Sequence, residues 1–288
     1  MKLMMFEAGG VRRLGVVQGD TVIDVAACDP TLPATILALV NGGPDVLGAV
    51  AEAVAGAPET ALLALADVAP ALPIARPGKF VCVGLNYAAH AREGGHEPPD
   101  YPSLFVRFAS SLVAAGQPVV RPHVSEQFDY EAELAVVIGE GGRHIAEAGA
   151  LDHVFGYTIF NDVSVRDYQR KTKQWTPGKN FDGTGPFGPW VVTPDDLPPG
   201  AAGLRITSRV NGGTRQDSNT ADMIFPVAKI VAIVSEFMTL EPGDVIATGT
   251  PSGVAHAMTP PGWMTPGDTV EVEIEGIGVL SNPVVQEG

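Results

Sequence analysis

Apolar positions along this chain fall in short runs broken by glycine and proline, the pattern of strands and turns more than of long helices. The opening segment, "MKLMMFEAGGVRRLGVVQGDTVIDVAA", reads as short strands joined by turns at Gly9-Gly10 and Gly19-Asp20. Two amphipathic stretches with helical spacing follow, "TLPATILALVNGG" and "PDVLGAVAEAVAG", each ending at glycine. The segment "APALPIARPGK", with prolines at 70, 73 and 77, reads as a linker. It sets a small N-terminal domain at 1–72 apart from a second domain at 73–288. In that second part apolar β-type runs recur: "KFVCVGLNY", "LAVVIG", "GYTIFNDV", "GPWVVT", "LRITSRVNG", "DVIATGT" and "DTVEVEIEGIGVLSN". Few helices separate them; the clearest is "FPVAKIVAIVSEFM", with Gly243 in the turn after it. The lack of sustained strand–helix alternation argues against a doubly wound parallel sheet, and the pattern predicts a β-rich α+β chain with rolled or barrel-like sheets.

Composition narrows the function classes. The 288 residues are 45% apolar and 18% charged, enough for a packed interior and incompatible with disorder. A net charge of −15, with only 18 Lys and Arg, repels nucleic acid and anionic membranes, and both are excluded as main partners. Cys28 and Cys82 lie far apart without metal-type spacing, so no disulfide framework is expected and a reducing cytoplasm fits best. Glu7 near the start and the lack of a long apolar h-region argue against a signal peptide. No uncharged apolar run reaches the roughly 18 residues of a membrane span.

Candidate chemistry starts from "DYEAELAVVIGE", residues 129–140. From Leu134 onward it is a buried-type strand, yet it begins with Glu131 and Glu133. Residues two apart point to one side of a strand, roughly 6.5–7 Å apart along it. Two exposed glutamates fit this pattern, and so does a cation site, because converging buried carboxylates need positive charge to stay ionised. A third carboxylate favours the cation: "GYTIFNDVSVRD" is another apolar strand, and Asp162 sits at its end. Three carboxylates without Cys or His make a hard oxygen site suited to one Mg²⁺ or Mn²⁺, with positions left open for substrate.

Polar residues surround these three in the sequence. Arg166 and Gln169 follow Asp162 by four and seven residues, one face if the chain turns helical there. Lys179 lies in the Gly/Pro-rich loop "QWTPGKNFDGTG", where a lysine is ordinarily solvated. Thr248 and Thr250 lie in "ATGTPSGV", which is either a plain tight turn or a cradle for a substrate carboxylate. His90 and Glu93, at i,i+3, are either a surface pair or a base whose tautomer Glu93 fixes. The Gly-Gly and Pro-Pro segment after them suits a loop that closes over a site. His96, His123, His144, His153 and His256 show no comparable arrangement and read as structural or solvated.

In order along the chain, "VCVGLNYAAHARE", "DYEAELAVVIG", "GYTIFNDVSVRDYQ", "QWTPGKNFDGTGPFGPW" and "LEPGDVIATGTPSGV" resemble the fumarylacetoacetate hydrolase family over about residues 78–285. The resemblance implies a mixed β-roll catalytic domain, a homodimer, and Mg²⁺ or Mn²⁺ on two glutamates and an aspartate, matched by Glu131, Glu133 and Asp162. It matches the family's lid pair to His90 and Glu93, and its substrate-contacting residues to Arg166, Gln169, Lys179 and Thr250. Leu85 stands where some members have Arg, and Arg107 where many have Lys. The activity this implies is hydrolytic C–C cleavage of a 2,4-dioxo acid, an acylpyruvate such as fumarylpyruvate or maleylpyruvate, in aromatic-compound catabolism. His90 would activate water, and Lys179 and Gln169 would stabilise the alkoxide. Oxaloacetate decarboxylation is the alternative, followed by hydration or isomerisation of a 2-hydroxydienoate.

Overall fold

The computed structural model describes residues 1–288. Ten strands run in the order Leu62–Ala64, Thr21–Asp24, Val11–Gln18, Lys2–Ala8, Gly185–Val192, Val154–Asn161, Ala132–Ile138, Val245–Ala247, Phe80–Gly84 and Ser103–Val106 through one large mixed sheet. Neighbours along this path are antiparallel except Val245–Ala247 against Phe80–Gly84, which are parallel. A second sheet joins Gly213–Asn219, Arg205–Val210, Thr269–Ile274, Gly278–Gln286 and Val119–Arg121. This is the β-rich α+β architecture expected.

The strand Ala132–Ile138 explains how a hydrophobic run carries a polar site. All seven residues are buried, because the strand has cores on both faces. Ala132, Leu134, Val136 and Ile138 join the larger core, with the helix Val227–Phe237. Ala135 and Val137 point the other way, into a core shared with Leu3, Ile36, Phe80 and Phe187. Glu133 shares the face of this second set, so its carboxylate is buried at the edge of an apolar core.

The N-terminal segment is tied into the same sheet, Lys2 and Leu3 pairing with Val192 and Val191. Its two helical stretches meet at Gly43, whose φ of 74° breaks the helix Ile36–Ala55 and lets Pro44 start the second half. The proline segment differs from the expected linker. Ala69–Pro70 pairs with Lys2–Ala8, and Ala71 and Ile74 are buried. Proline at a strand edge lacks only an N–H that has no partner to lose, so a proline-rich stretch can dock as well as swing free.

Candidate active site

Antiparallel register assembles the three carboxylates. Ala132 pairs with Asn161, which brings the residues just beyond, Glu131 and Asp162, side by side. Asp162 N donates to Glu131 O at 2.9 Å, and Glu131 N donates to the Asn161 side chain at 3.0 Å. Ligand oxygens of Glu131, Glu133 and Asp162 lie within 4.8 Å of one another, all three residues buried.

Cations pack against two of them. Lys179 Nζ donates to Glu131 Oε2 at 2.8 Å and to Asp162 Oδ2 at 2.6 Å. Arg107 clamps the other oxygen of Asp162, from Nε at 2.8 Å and Nη2 at 2.7 Å. Arg166 donates from Nε to Asp129 Oδ2 at 2.7 Å. Its Nη2 lies 2.6 Å from Glu131 Oε1, a close charge contact that falls short of hydrogen-bond geometry. Glu133 has no cation, only the Gly249 N–H at 2.9 Å. Gly249 sits at φ 96°, where a Cβ would meet the Val83 carbonyl oxygen at 2.8 Å; glycine allows the N–H to approach.

The electrostatics follow from this asymmetry. Burial would raise the Glu131 carboxyl, but Lys179 and Arg166 hold it well below the usual carboxylate range. Burial, with Asp162 and Glu131 adding repulsion, pushes Glu133 well above that range. Burial opposes the charge on Lys179, and Asp162 and Glu131 more than offset it. The buried shell holds four carboxylates (Asp129, Glu131, Glu133, Asp162) against three cations (Arg107, Arg166, Lys179). It is one positive charge short, and its converging donors are all oxygen. That set fits one divalent cation of the Mg²⁺ or Mn²⁺ type.

A cavity of about 320 Å³ opens on the cluster. Its wall includes Glu131, Glu133, His90, Arg166, Gln169, Lys179 and Thr250. His90 and Glu93 share the short helix Ala88–Glu93, with Nδ1 3.3 Å from Glu93 Oε2. The other Glu93 oxygen accepts from Gly253 N at 2.9 Å, which pins this helix to the loop after Val245–Ala247. Arg166–Gln169 is a helical turn, and Arg166 Nη1 donates to Gln169 Oε1 at 2.9 Å. Asp162 is not on that turn, contrary to the spacing argument, because the short strand Ser164–Val165 intervenes. Lys179 ends the short helix Thr176–Lys179 and is buried, not solvated. Thr250 Oγ1 accepts from Gln216 Nε2 at 2.7 Å, leaving its own proton free to donate. Thr248 turns away and donates to Leu134 O.

The contacts of other residues at the site escaped the sequence reading. Asp129 accepts from the backbone N–H groups of Tyr130, Ala255 and His256 as well as from Arg166. Burial works against its charge, but Arg166 and His256 hold the carboxyl low. Its place two residues before Glu131 was a signal in plain sight. Arg107 and Gln216 hydrogen-bond Asp162 and Thr250 from far away in sequence. His96 and His256, read as structural or solvated, line the cavity, as do Leu85 and Arg170.

Residues 79–285 match the fumarylacetoacetate (FAA) hydrolase C-terminal family, and the chain belongs to it. It is therefore an enzyme, of a family that includes hydrolases, isomerases and tautomerases. Among curated relatives, it is 42% identical to the mitochondrial oxaloacetate tautomerase FAHD2A of Bos taurus, over 99% of this chain and 92% of the relative. Among solved structures it is similar to fumarylacetoacetate hydrolase from psychrophilic Exiguobacterium antarcticum, at 39% identity and a TM-score of 0.86, covering 100% of both chains. It is also similar to maleylpyruvate hydrolase from Sphingobium sp. SYK-6 in complex with manganese (II) ion and pyruvate, at 32% identity and a TM-score of 0.84, again covering 100% of both.

Proposed function

We propose that this enzyme interconverts the enol and keto forms of a small 2-oxo acid, oxaloacetate, using one Mg²⁺ or Mn²⁺ held by Glu131, Glu133 and Asp162. The observation that carries the reading is a His–Glu pair and a buried three-carboxylate cluster on one polar cavity. The 42% identity to an oxaloacetate tautomerase along nearly the whole chain supports the choice of substrate.

A bound divalent ion supplies Lewis-acid stabilisation of negative charge on the substrate's 2-oxo oxygen. Glu93 accepts the Nδ1 proton of His90, so the neutral imidazole offers an unprotonated Nε2. That nitrogen removes a proton from C3 of the keto acid, and the imidazolium returns it to the 2-oxygen to complete the enol. Ketonisation runs the same transfers in reverse. The Thr250 hydroxyl and the Gln169 amide N–H groups, both free to donate, hold the C1 carboxylate. Lys179 places a second positive charge beside the cluster, where negative charge gathers during proton transfer.

A second reading keeps the same residues. Hydrolysis of an acylpyruvate to pyruvate and a carboxylic acid uses His90 to activate water, with Lys179 and Gln169 stabilising the alkoxide at C4. Similarity to the maleylpyruvate hydrolase supports it, at lower identity. Decarboxylation of oxaloacetate needs no activated water. A cytoplasmic homodimer belongs to the same proposal. The two unpaired cysteines support the reducing compartment. Exposed Val106 and Phe108 by the edge strand Ser103–Val106 support the dimer.

The test is Mn²⁺-loaded enzyme with enol-oxaloacetate and, separately, with acylpyruvates, followed by loss of enol absorbance and by NMR of products. Ketonisation faster than a metal-only control, without pyruvate release, is the expected result. Faster pyruvate release from acylpyruvates selects hydrolysis instead. No acceleration of either contradicts both.

A further inference from the structure

The buried shell described above becomes one charge positive once a divalent cation joins it, with its histidines neutral. A single substrate carboxylate cancels that charge. A second carboxylate finds no buried counter-charge, because Arg107, Arg166 and Lys179 are all engaged by Asp129, Glu131 and Asp162. One further guanidinium reaches the cavity wall. Arg170 follows the Arg166–Gln169 turn directly, is exposed, and makes no ion pair and no side-chain hydrogen bond. Thr172 and His96 lie on the same wall and add polar donors without adding an acid.

We propose that Arg170 receives the distal carboxylate of the substrate and makes the enzyme select 2-oxo dicarboxylates over 2-oxo monocarboxylates. The assignment rests on the proposed function for the other end of the substrate, held at the three-carboxylate cluster. Arg170 is suited to the task because its fork geometry matches a carboxylate and it has no internal partner to give up. Arg166, four residues earlier, is unsuited, since Asp129 and Glu131 fix it.

The experiment is calorimetric titration of the Mn²⁺-loaded protein with oxaloacetate and with 2-oxobutanoate, which has a methyl where oxaloacetate has its distal carboxylate. Wild-type protein should bind oxaloacetate the more tightly. Arg170→Gln should weaken oxaloacetate binding about tenfold, as for loss of one partly exposed charge-assisted contact, and leave 2-oxobutanoate within about twofold. Arg170→Lys should restore part of the difference. A parallel loss for both ligands, or no loss for either, overturns the proposal and leaves Arg170 a solvated side chain. Wild-type protein that discriminates the two ligands as expected but converts neither would sink the proposed reaction while sparing the subsite. Wild-type protein that binds neither would sink both.

Discussion

Two groups of arginines in this protein make ion pairs of nearly the same length. On the five-stranded sheet, Arg205 meets Asp217 at 2.7 Å, and Arg209 meets Glu271 at 3.1 Å and Glu273 at 2.6 Å. In the candidate active site, Arg107 meets Asp162 and Arg166 meets Asp129, both at 2.7 Å. Distance does not distinguish them; water does. The Arg205 pair stands in solvent and the Arg209 pairs are half-exposed, so salt screens them and either partner can be rehydrated. The site pairs are buried, so removing one partner strands a charge where nothing replaces it. The groups also differ in balance, since the buried one carries a carboxylate, Glu133, with no cation of its own. An unbalanced buried cluster calls for a cation, whereas ion pairs in reach of water carry no such message.

Metal removal should separate the two groups most. Chelation should abolish turnover and added Mn²⁺ or Mg²⁺ restore it, while Arg205→Ala changes neither; full activity with metal loss verified by elemental analysis would contradict this. His90→Ala should lower kcat/KM for enol–keto conversion by about 10²- to 10⁴-fold, with a metal affinity like that of wild type. Arg107→Met should destabilise the metal-free fold by about 3–5 kcal/mol in denaturant titration, because Asp162 loses its clamp inside the core. The same variant should bind Mn²⁺ about 10- to 100-fold less tightly, as its ligand is no longer oriented.

The smallest effect is in pH. Glu133, raised in the metal-free fold, favours that fold fully below the ordinary carboxylate range and loses this contribution as pH rises through its raised value. Glu131, held low, works the other way: its contribution is present above the ordinary range and is lost as pH falls. Bound metal selects ionised Glu133, so the gap in Tm with and without Mn²⁺ should widen as pH rises from the ordinary carboxylate range. A gap that narrows would contradict the assignment of Glu133.

How much of this was legible depends on how local each signal is. Glu131, Glu133 and Asp162 announce themselves as carboxylates where apolar strands begin or end, and His90 and Glu93 are three residues apart. The break at Gly43 was visible for the same reason, a glycine followed by a proline in a helical pattern. Arg107 was not legible as a clamp, because its partner is 55 residues away, at the end of a strand that does not neighbour the one Arg107 follows. Gln216 orients Thr250 across 34 residues. The spacing of Asp162 and Arg166 suggested one helical face, and the true link runs through Glu131, which contacts Arg166 and shares Lys179 with Asp162. Patterns reveal which residues are odd for their surroundings; topology decides what answers them.

The unbalanced buried cluster fits a single divalent-cation site. This assignment is tested most directly by Mn²⁺ binding to wild-type protein and to Glu133→Gln, counted by electron paramagnetic resonance, with circular dichroism verifying that both are folded. One tight Mn²⁺ per wild-type chain is expected, with its loss in Glu133→Gln, where the shape is kept and the uncompensated charge is gone. Tight one-to-one binding that survives in folded Glu133→Gln would contradict it.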